Sequence, residues 1–251
     1  MSSLQGQVAI VTGGSRGIGG ACSRLLASRG VRVVLCYLNQ ADRAEKLVAE
    51  IREAGGDALA VQSDIRDSEQ IRHLFEQTIA TYHRIDIVVS NAPVGYVGKS
   101  FREISWEEYR SVVDGELKAA FEVTKAAMAA MTAQRHGRLI YISSGRAKQH
   151  PVPGKLANAT AKASVVTFVR YIAEELGSSG ITANAVAPGL VETENNQDMP
   201  KEEKAQIAAM TPLRRIASPE DIAGVVAFLA GEDGGFLTGI TIPVEGGLAM
   251  D

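Results

Sequence analysis

Short runs of apolar and β-branched residues alternate with helix-spaced segments along the chain, and this alternation limits the open architectures more than any other feature. Strand candidates fall at 8–12, 32–37, 58–62, 85–90, 138–142, 182–186 and 240–244. Between them, 18–28, 40–54, 69–82, 107–131, 160–176 and 219–231 carry apolar residues at helical spacing. The run Ile85-Asp86-Ile87-Val88-Val89-Ser90 is apolar without alternation, as parallel strands covered on both faces are. The pattern predicts an α/β fold: a doubly wound parallel sheet of about seven strands, right-handed crossovers and helices on both faces. A length of 251 residues suits one domain spanning 1–251. No repeat, linker or low-complexity tract interrupts it. The segment 189–218 has no strand candidate and holds the polar stretch 192–204. So long a segment in a compact domain is expected to be a substrate lid, the other reading being a surface excursion with one amphipathic helix.

The first strand runs straight into Thr12-Gly13-Gly14-Ser15-Arg16-Gly17-Ile18-Gly19. Glycines at a strand-to-helix turn let backbone approach a pyrophosphate, and the helix N-terminus supplies unpaired N–H groups and partial positive charge. A glycine-rich turn alone means little. Following a strand, opening a helix and beginning a βαβ unit, it predicts a Rossmann-type dinucleotide site. The second strand should end beside the adenosine ribose, where NAD-selective sites carry an acid. Here it ends Leu35-Cys36-Tyr37-Leu38-Asn39-Gln40, without one. Arg16 is placed to neutralise a 2′-phosphate instead, which points to NADP(H); otherwise it is a surface arginine.

Several function classes are excluded or disfavoured. A net charge of −3 offers no electrostatic case for nucleic acid or an anionic membrane. Cys22 and Cys36 do not make a disulfide scaffold and suit a reducing cytoplasm. The first residues lack the basic flank of a signal peptide, and no apolar stretch reaches the roughly 20 residues of a membrane span. The four histidines, His73, His83, His136 and His150, show no metal-ligand spacing, so no metal is expected. No GxSxG elbow supports a hydrolase.

Further motifs follow in order. Ser63-Asp64 ends the third strand, Ser90-Asn91-Ala92 the fourth, and Ile142-Ser143-Ser144 the fifth; Asn184-Ala185-Val186-Ala187-Pro188-Gly189 ends the sixth. With TGGSRGIG, they make the chain resemble the short-chain dehydrogenase/reductase family over essentially its whole length. The nearest branch is the 3-oxoacyl-carrier-protein-reductase-like one. The resemblance implies cofactor contacts from Gly13, Ser15, Arg16, Gly17, Ile18 and Gly19 at the phosphates. It implies Asp64 and Ile65 at the adenine, Asn91 and Ala92 on the adenosine side, and Pro188, Gly189, Val191 and Thr193 toward the nicotinamide. Family members pair the helices at 107–131 and 160–176 between subunits, so a homodimer or homotetramer is expected; packing on the sheet is the plainer reading.

The family's catalytic set is Asn, Ser, Tyr and Lys, the last two spaced YxxxK. Lys162 takes the lysine place, toward the nicotinamide ribose, and Ser144 (or Ser143) the serine place. Asn158 stands for the tyrosine, Glu116 for the asparagine and Pro93 for the glycine after Asn91-Ala92. The longer Tyr-x6-Lys spacing of enoyl reductases meets Lys155 instead of tyrosine. An amide supplies no proton near neutral pH, and losing a general acid costs roughly 10²–10⁴-fold in rate. Asn158 is then a neutral hydrogen-bond donor or the mark of a silent site. Glu116 is expected to pair with Lys162 unless a one-turn slip turns it to solvent. Tyr96 and His150 are candidate substitute acids, with surface or packing roles the alternative. Two functions are therefore open. One is an NADP(H)-dependent oxidoreductase with a non-standard proton relay, acting on a carbonyl, enone or imine of a small molecule. The other is a non-redox lyase, cyclase or isomerase, or a catalytically silent cofactor-binding protein.

Overall fold

A computed structural model describes residues 4–145 and 151–249. Seven strands form one sheet: β1 (Val8–Thr12), β2 (Arg32–Tyr37), β3 (Asp57–Gln62), β4 (Ile87–Ser90), β5 (Gly137–Ile142), β6 (Ile181–Pro188) and β7 (Thr241–Val244). Their order is β3-β2-β1-β4-β5-β6-β7, and every neighbouring pair is parallel. The doubly wound α/β sheet expected from the alternation is the fold found.

Two apolar layers explain why the strands read as uninterrupted hydrophobic runs. On one face α1 (Gly17–Ser28), α2 (Ala41–Glu53) and α7 (Pro219–Ala230) bury Leu26, Leu47, Ile51 and Val226 against Val11, Leu35 and Val89. On the other, α3 (Ser68–Tyr82), α4 (Trp106–Gln134) and α5 (Leu156–Leu176) bury Leu74, Phe75, Val123, Met131 and Val165 against Ile10, Val34 and Tyr141. Alternate residues of each strand thus feed opposite cores.

Where boundaries differ from the sequence reading, local hydrogen bonds give the reason. The strand candidate at 85–90 begins at Ile87, because the Ile85 backbone exchanges bonds with the Gln134 amide at 3.1 and 2.8 Å, and the buried Asp86 carboxylate accepts from Val8 N at 2.9 Å. The helix candidate at 107–131 grows to Trp106–Gln134; a capping box of Ser105 and Glu108 fixes its start. The candidate at 160–176 starts earlier, at Leu156, which brings Asn158 into the first turn of α5. Segment 189–218 is pinned at both ends by a bridge between Val191 and Ala217, and it carries α6 (Lys201–Met210), which buries no residue. No described helix is long and apolar enough to cross a membrane.

Candidate active site

Strand order reverses between β1, which pairs with β2 on one side, and β4 on the other, so the chain leaves the sheet in opposite directions there. Open α/β sheets bind ligands in the crevice at the C-terminal ends of such strands. Here the crevice is a cavity of about 610 Å³, walled by the turn after β1, the ends of β2 and β3, the loop after β4, Ser143 and Ser144 after β5, the start of α5, and residues 188–196 after β6.

Backbone geometry dominates the end nearest β1. Gly13 and Gly17 have φ of +61° and +50°, a left-handed conformation that glycine adopts without strain. A Cβ on Gly13 would lie 3.0 Å from Ala92 Cα. No side chain caps α1 and no acid stands in its first turn, so its leading N–H groups and dipole face the cavity. Ser15, Arg16 and Ile18 also line the wall; Arg16 is exposed and pairs with no carboxylate among the described residues. Gly19 is not on the wall. It is buried beneath the turn, where a Cβ would meet Gly13 O at 2.2 Å, so its part is to let helix and turn approach each other.

Thr12, which sequence reading passed over, organises this corner. Its buried hydroxyl accepts from Asn91 N at 2.8 Å and Ala92 N at 3.0 Å, while Asn91 Nδ2 donates to Thr12 O at 2.9 Å. Asn91 thereby braces the glycine turn against β4, and both Asn91 and Ala92 line the cavity.

Residues 37–40 after β2 line the wall without a carboxylate. Asp64 and Ile65 line it too, but Asp64 is engaged: Arg66 Nε and Nη2 donate to its oxygens at 2.6–3.2 Å. These bonds hold the Asp64 carboxyl below its ordinary range. Ser63 adds a feature the sequence did not announce. Its hydroxyl oxygen is buried at the wall with no hydrogen-bond partner among the described residues, an arrangement that a polar ligand edge would complete. Buried Cys36, by contrast, has its thiol pushed up to about 12 by desolvation.

At the opposite end Lys162 reaches the cavity from α5. Its Nζ donates to Glu116 Oε1 at 2.5 Å and to Ile142 O at 2.8 Å. The pair is largely shielded, with side-chain exposures of 19% for Lys162 and 14% for Glu116. Glu116 stands behind the lysine instead of on the wall. Ser143 and Ser144 both line the cavity, but the Ser143 hydroxyl donates to Lys162 O at 3.1 Å. Pro188, Gly189, Val191 and Thr193 close this end, and Glu194 beside them meets Arg43 of α2 at 3.5 Å.

One expectation changes. Asn158, read as a hydrogen-bond donor to a ligand, gives its Nδ2 to Gly95 O at 3.3 Å; its Oδ1 is the buried atom without a partner. Tyr96 reaches the same wall, its hydroxyl accepting from Lys155, a residue singled out by the sequence only as a missing tyrosine. His150 lies outside the described residues. Among the described residues no group of three or more His, Cys, Asp and Glu is placed to hold a metal.

The uncapped helix, the glycine turn a Cβ would block and the orphaned Ser63 hydroxyl fit an elongated ligand with phosphates at one end and a planar polar ring beyond β3. Several known proteins resemble this chain over nearly its whole length. A family model described as enoyl-(acyl carrier protein) reductase matches residues 13–249. A 3-oxoacyl-[acyl-carrier-protein] reductase from Synechocystis sp. is 38% identical over the whole of both chains. A protein named probable tetrahydroxynaphthalene reductase, from Zymoseptoria tritici, is 36% identical, with 99% of this chain and 97% of the relative covered. Among solved structures, a Serratia marcescens short-chain dehydrogenase/reductase superposes with a TM-score of 0.91 at 34% identity, covering 99% of this chain and all of that one. A blue fluorescent protein from a metagenomic library, solved in complex with NADPH, gives a TM-score of 0.90 at 35% identity with the same coverage.

Proposed function

The chain belongs to the short-chain dehydrogenase/reductase family, and from that premise we propose that it is an NADP(H)-dependent oxidoreductase with a non-standard proton relay, acting on a carbonyl, enone or imine of a small molecule. One observation carries the reading: a single cavity runs from the uncapped N-terminus of α1 and Arg16 to Lys162 and Ser144. The nicotinamide supplies or accepts the hydride. The leading N–H groups of α1 and the backbone at Gly13 and Gly17 bind the pyrophosphate. Arg16 binds the 2′-phosphate, since residues 37–40 put no carboxylate there to repel it. Ser63 and Asp64 face the adenine, and Lys162 holds the nicotinamide ribose with the hydrogen-bonding capacity left after Glu116 and Ile142. Ser144 orients the substrate's polar atom.

The relay differs from the family's pattern because Glu116 neutralises the lysine and Asn158 has no proton to give. Segment 189–218 serves as the substrate lid, hinged where Val191 bridges Ala217. The exposed Leu117, Phe121 and Tyr171 of α4 and α5 suit burial against a second copy in a homodimer or homotetramer. The charge balance suits a cytoplasmic protein that engages neither nucleic acid nor membrane.

The test follows NADPH absorbance while ketones, enones and iminium compounds are supplied. Saturable oxidation of NADPH by any of these classes is the expected result. Tight NADPH binding with no oxidation by any of them would overturn the redox reading in favour of a lyase, cyclase, isomerase or silent binding protein.

A further inference from the structure

The reduction of a carbonyl needs a proton for the oxygen, and the cavity wall near Lys162 offers few sources. Asn158 is an amide. Lys162 is held by a carboxylate and a backbone carbonyl. Ser144 carries a weakly acidic hydroxyl. Of the tyrosines on the wall among the described residues, Tyr37 ends β2, at the far end of the cavity, and Tyr96 sits in the loop after β4 beside α5.

Tyr96 is held there by several contacts. Lys155, the N-cap residue of α5 three positions before Asn158, donates from Nζ to the Tyr96 hydroxyl, and the same ammonium lies 4.2 Å from the ring centroid. Next to Tyr96, Gly95 O accepts from Asn158 Nδ2 at 3.3 Å. The ring lies over Gly98, where an added Cβ would meet Tyr96 Oη at 3.1 Å. Gly154, at φ +74°, brings the approach to α5 within reach of Gly98 O, 3.3 Å from where its own Cβ would be. The loop is thus clamped to the first turn of α5 with its phenol at the cavity and a cation against the phenol oxygen.

We propose that Tyr96 is the proton donor of this enzyme and that Lys155 is its positioning residue, a tyrosine–lysine pair joined across the loop after β4 and the start of α5. The inference rests on the redox reading above. As hydride from the reduced nicotinamide forms the new C–H bond, the C=O π electrons move to oxygen and take the Tyr96 proton. The phenol O–H bond breaks, leaving its electron pair on the phenolate. The Lys155 ammonium stabilises that charge and passes it a proton. Tyr96 is 59% exposed, so solvent restores the proton to Lys155.

The experiment compares wild type, Tyr96→Phe, Lys155→Met and Lys155→Arg with two probe sets, aryl ketones and phenanthrenequinone. The quinone's carbonyl carbon is activated by the carbonyl beside it, so hydride addition leans less on an acid. Tyr96→Phe is expected to cut kcat on ketones by about 10²–10⁴-fold, with quinone reduction and NADPH affinity, read by fluorescence titration, within about threefold of wild type. Lys155→Met should follow Tyr96→Phe, while Lys155→Arg, which keeps a cation beside the phenol, should restore most of the rate. Ketone kcat unchanged in Tyr96→Phe overturns the inference and leaves the redox reading standing. NADPH affinity falling tenfold or more in Tyr96→Phe also overturns it, because the phenol would then serve the cofactor. Binding of NADPH without its oxidation by any probe, in wild type, overturns both.

Discussion

At Lys162 a carboxylate on another helix sets the surroundings of the ammonium. The ammonium is held by the Glu116 carboxylate at 2.5 Å and the Ile142 carbonyl at 2.8 Å. With both side chains mostly out of water, removing one partner leaves a charge without its counter-charge, which is costlier than losing a surface pair. Glu116→Gln is expected to lower stability by about 1–3 kcal/mol, seen as a Tm drop of about 2–10 °C for a chain of this size. An unchanged Tm would mean that the pair adds nothing to folding. This contact was legible in the sequence because family position put a carboxylate opposite a lysine. The glycine turn was legible for a different reason: positive φ at Gly13 and Gly17 writes glycine directly into the sequence. The contact between Lys155 and Tyr96 was not, since 59 residues separate its partners and only the tertiary fold joins them. Asp64 falls between these cases. Its partner Arg66 is two residues away, yet the sequence alone does not show the two side chains turned toward each other.

Helix ends carry the next level of control. At α7, Ser218 and Asp221 form a capping box, and Arg215 donates to both Asp221 oxygens at 2.5 and 2.7 Å. The guanidinium holds the Asp221 carboxyl well below its ordinary value of 3.8. Because the folded value is depressed, the unfolded chain takes up the proton first on acidification. The stabilisation is complete above the ordinary aspartate value and is lost as pH falls through the folded one. Asp221→Asn should therefore cost about 1–2 kcal/mol near neutrality, and in urea unfolding the gap to wild type should close below about pH 4. A gap that persisted at low pH would place the effect in packing of α7. The same kind of cap explains why element ends were harder to read than their centres. Apolar periodicity marks where a helix packs, whereas Ser105 with Glu108 decides where α4 starts. The strand at β4 was overread for the complementary reason, since the apolar pattern at residue 85 continues past the point where Gln134 takes over the backbone bonds.

At the scale of the whole molecule, the sheet order places the turn after β1 and the loop after β4 side by side, and nearly everything proposed for the site follows from that adjacency. Strand–helix alternation made the parallel sheet legible. The lid segment was only half so, because α6 buries nothing and leaves a weak apolar signature. Whether this crevice takes a phosphorylated dinucleotide, and prefers the form with a 2′-phosphate, decides what the molecule does. Fluorescence titration of the purified protein with NADPH and with NADH, repeated with Arg16→Ala, measures this most directly. The expected result is NADPH bound at least about tenfold more tightly than NADH, a difference of about 1.4 kcal/mol, with most of it lost in Arg16→Ala while NADH binding changes little. Equal affinity for the two, or no binding of either, would contradict the role given to Arg16 and the glycine turn.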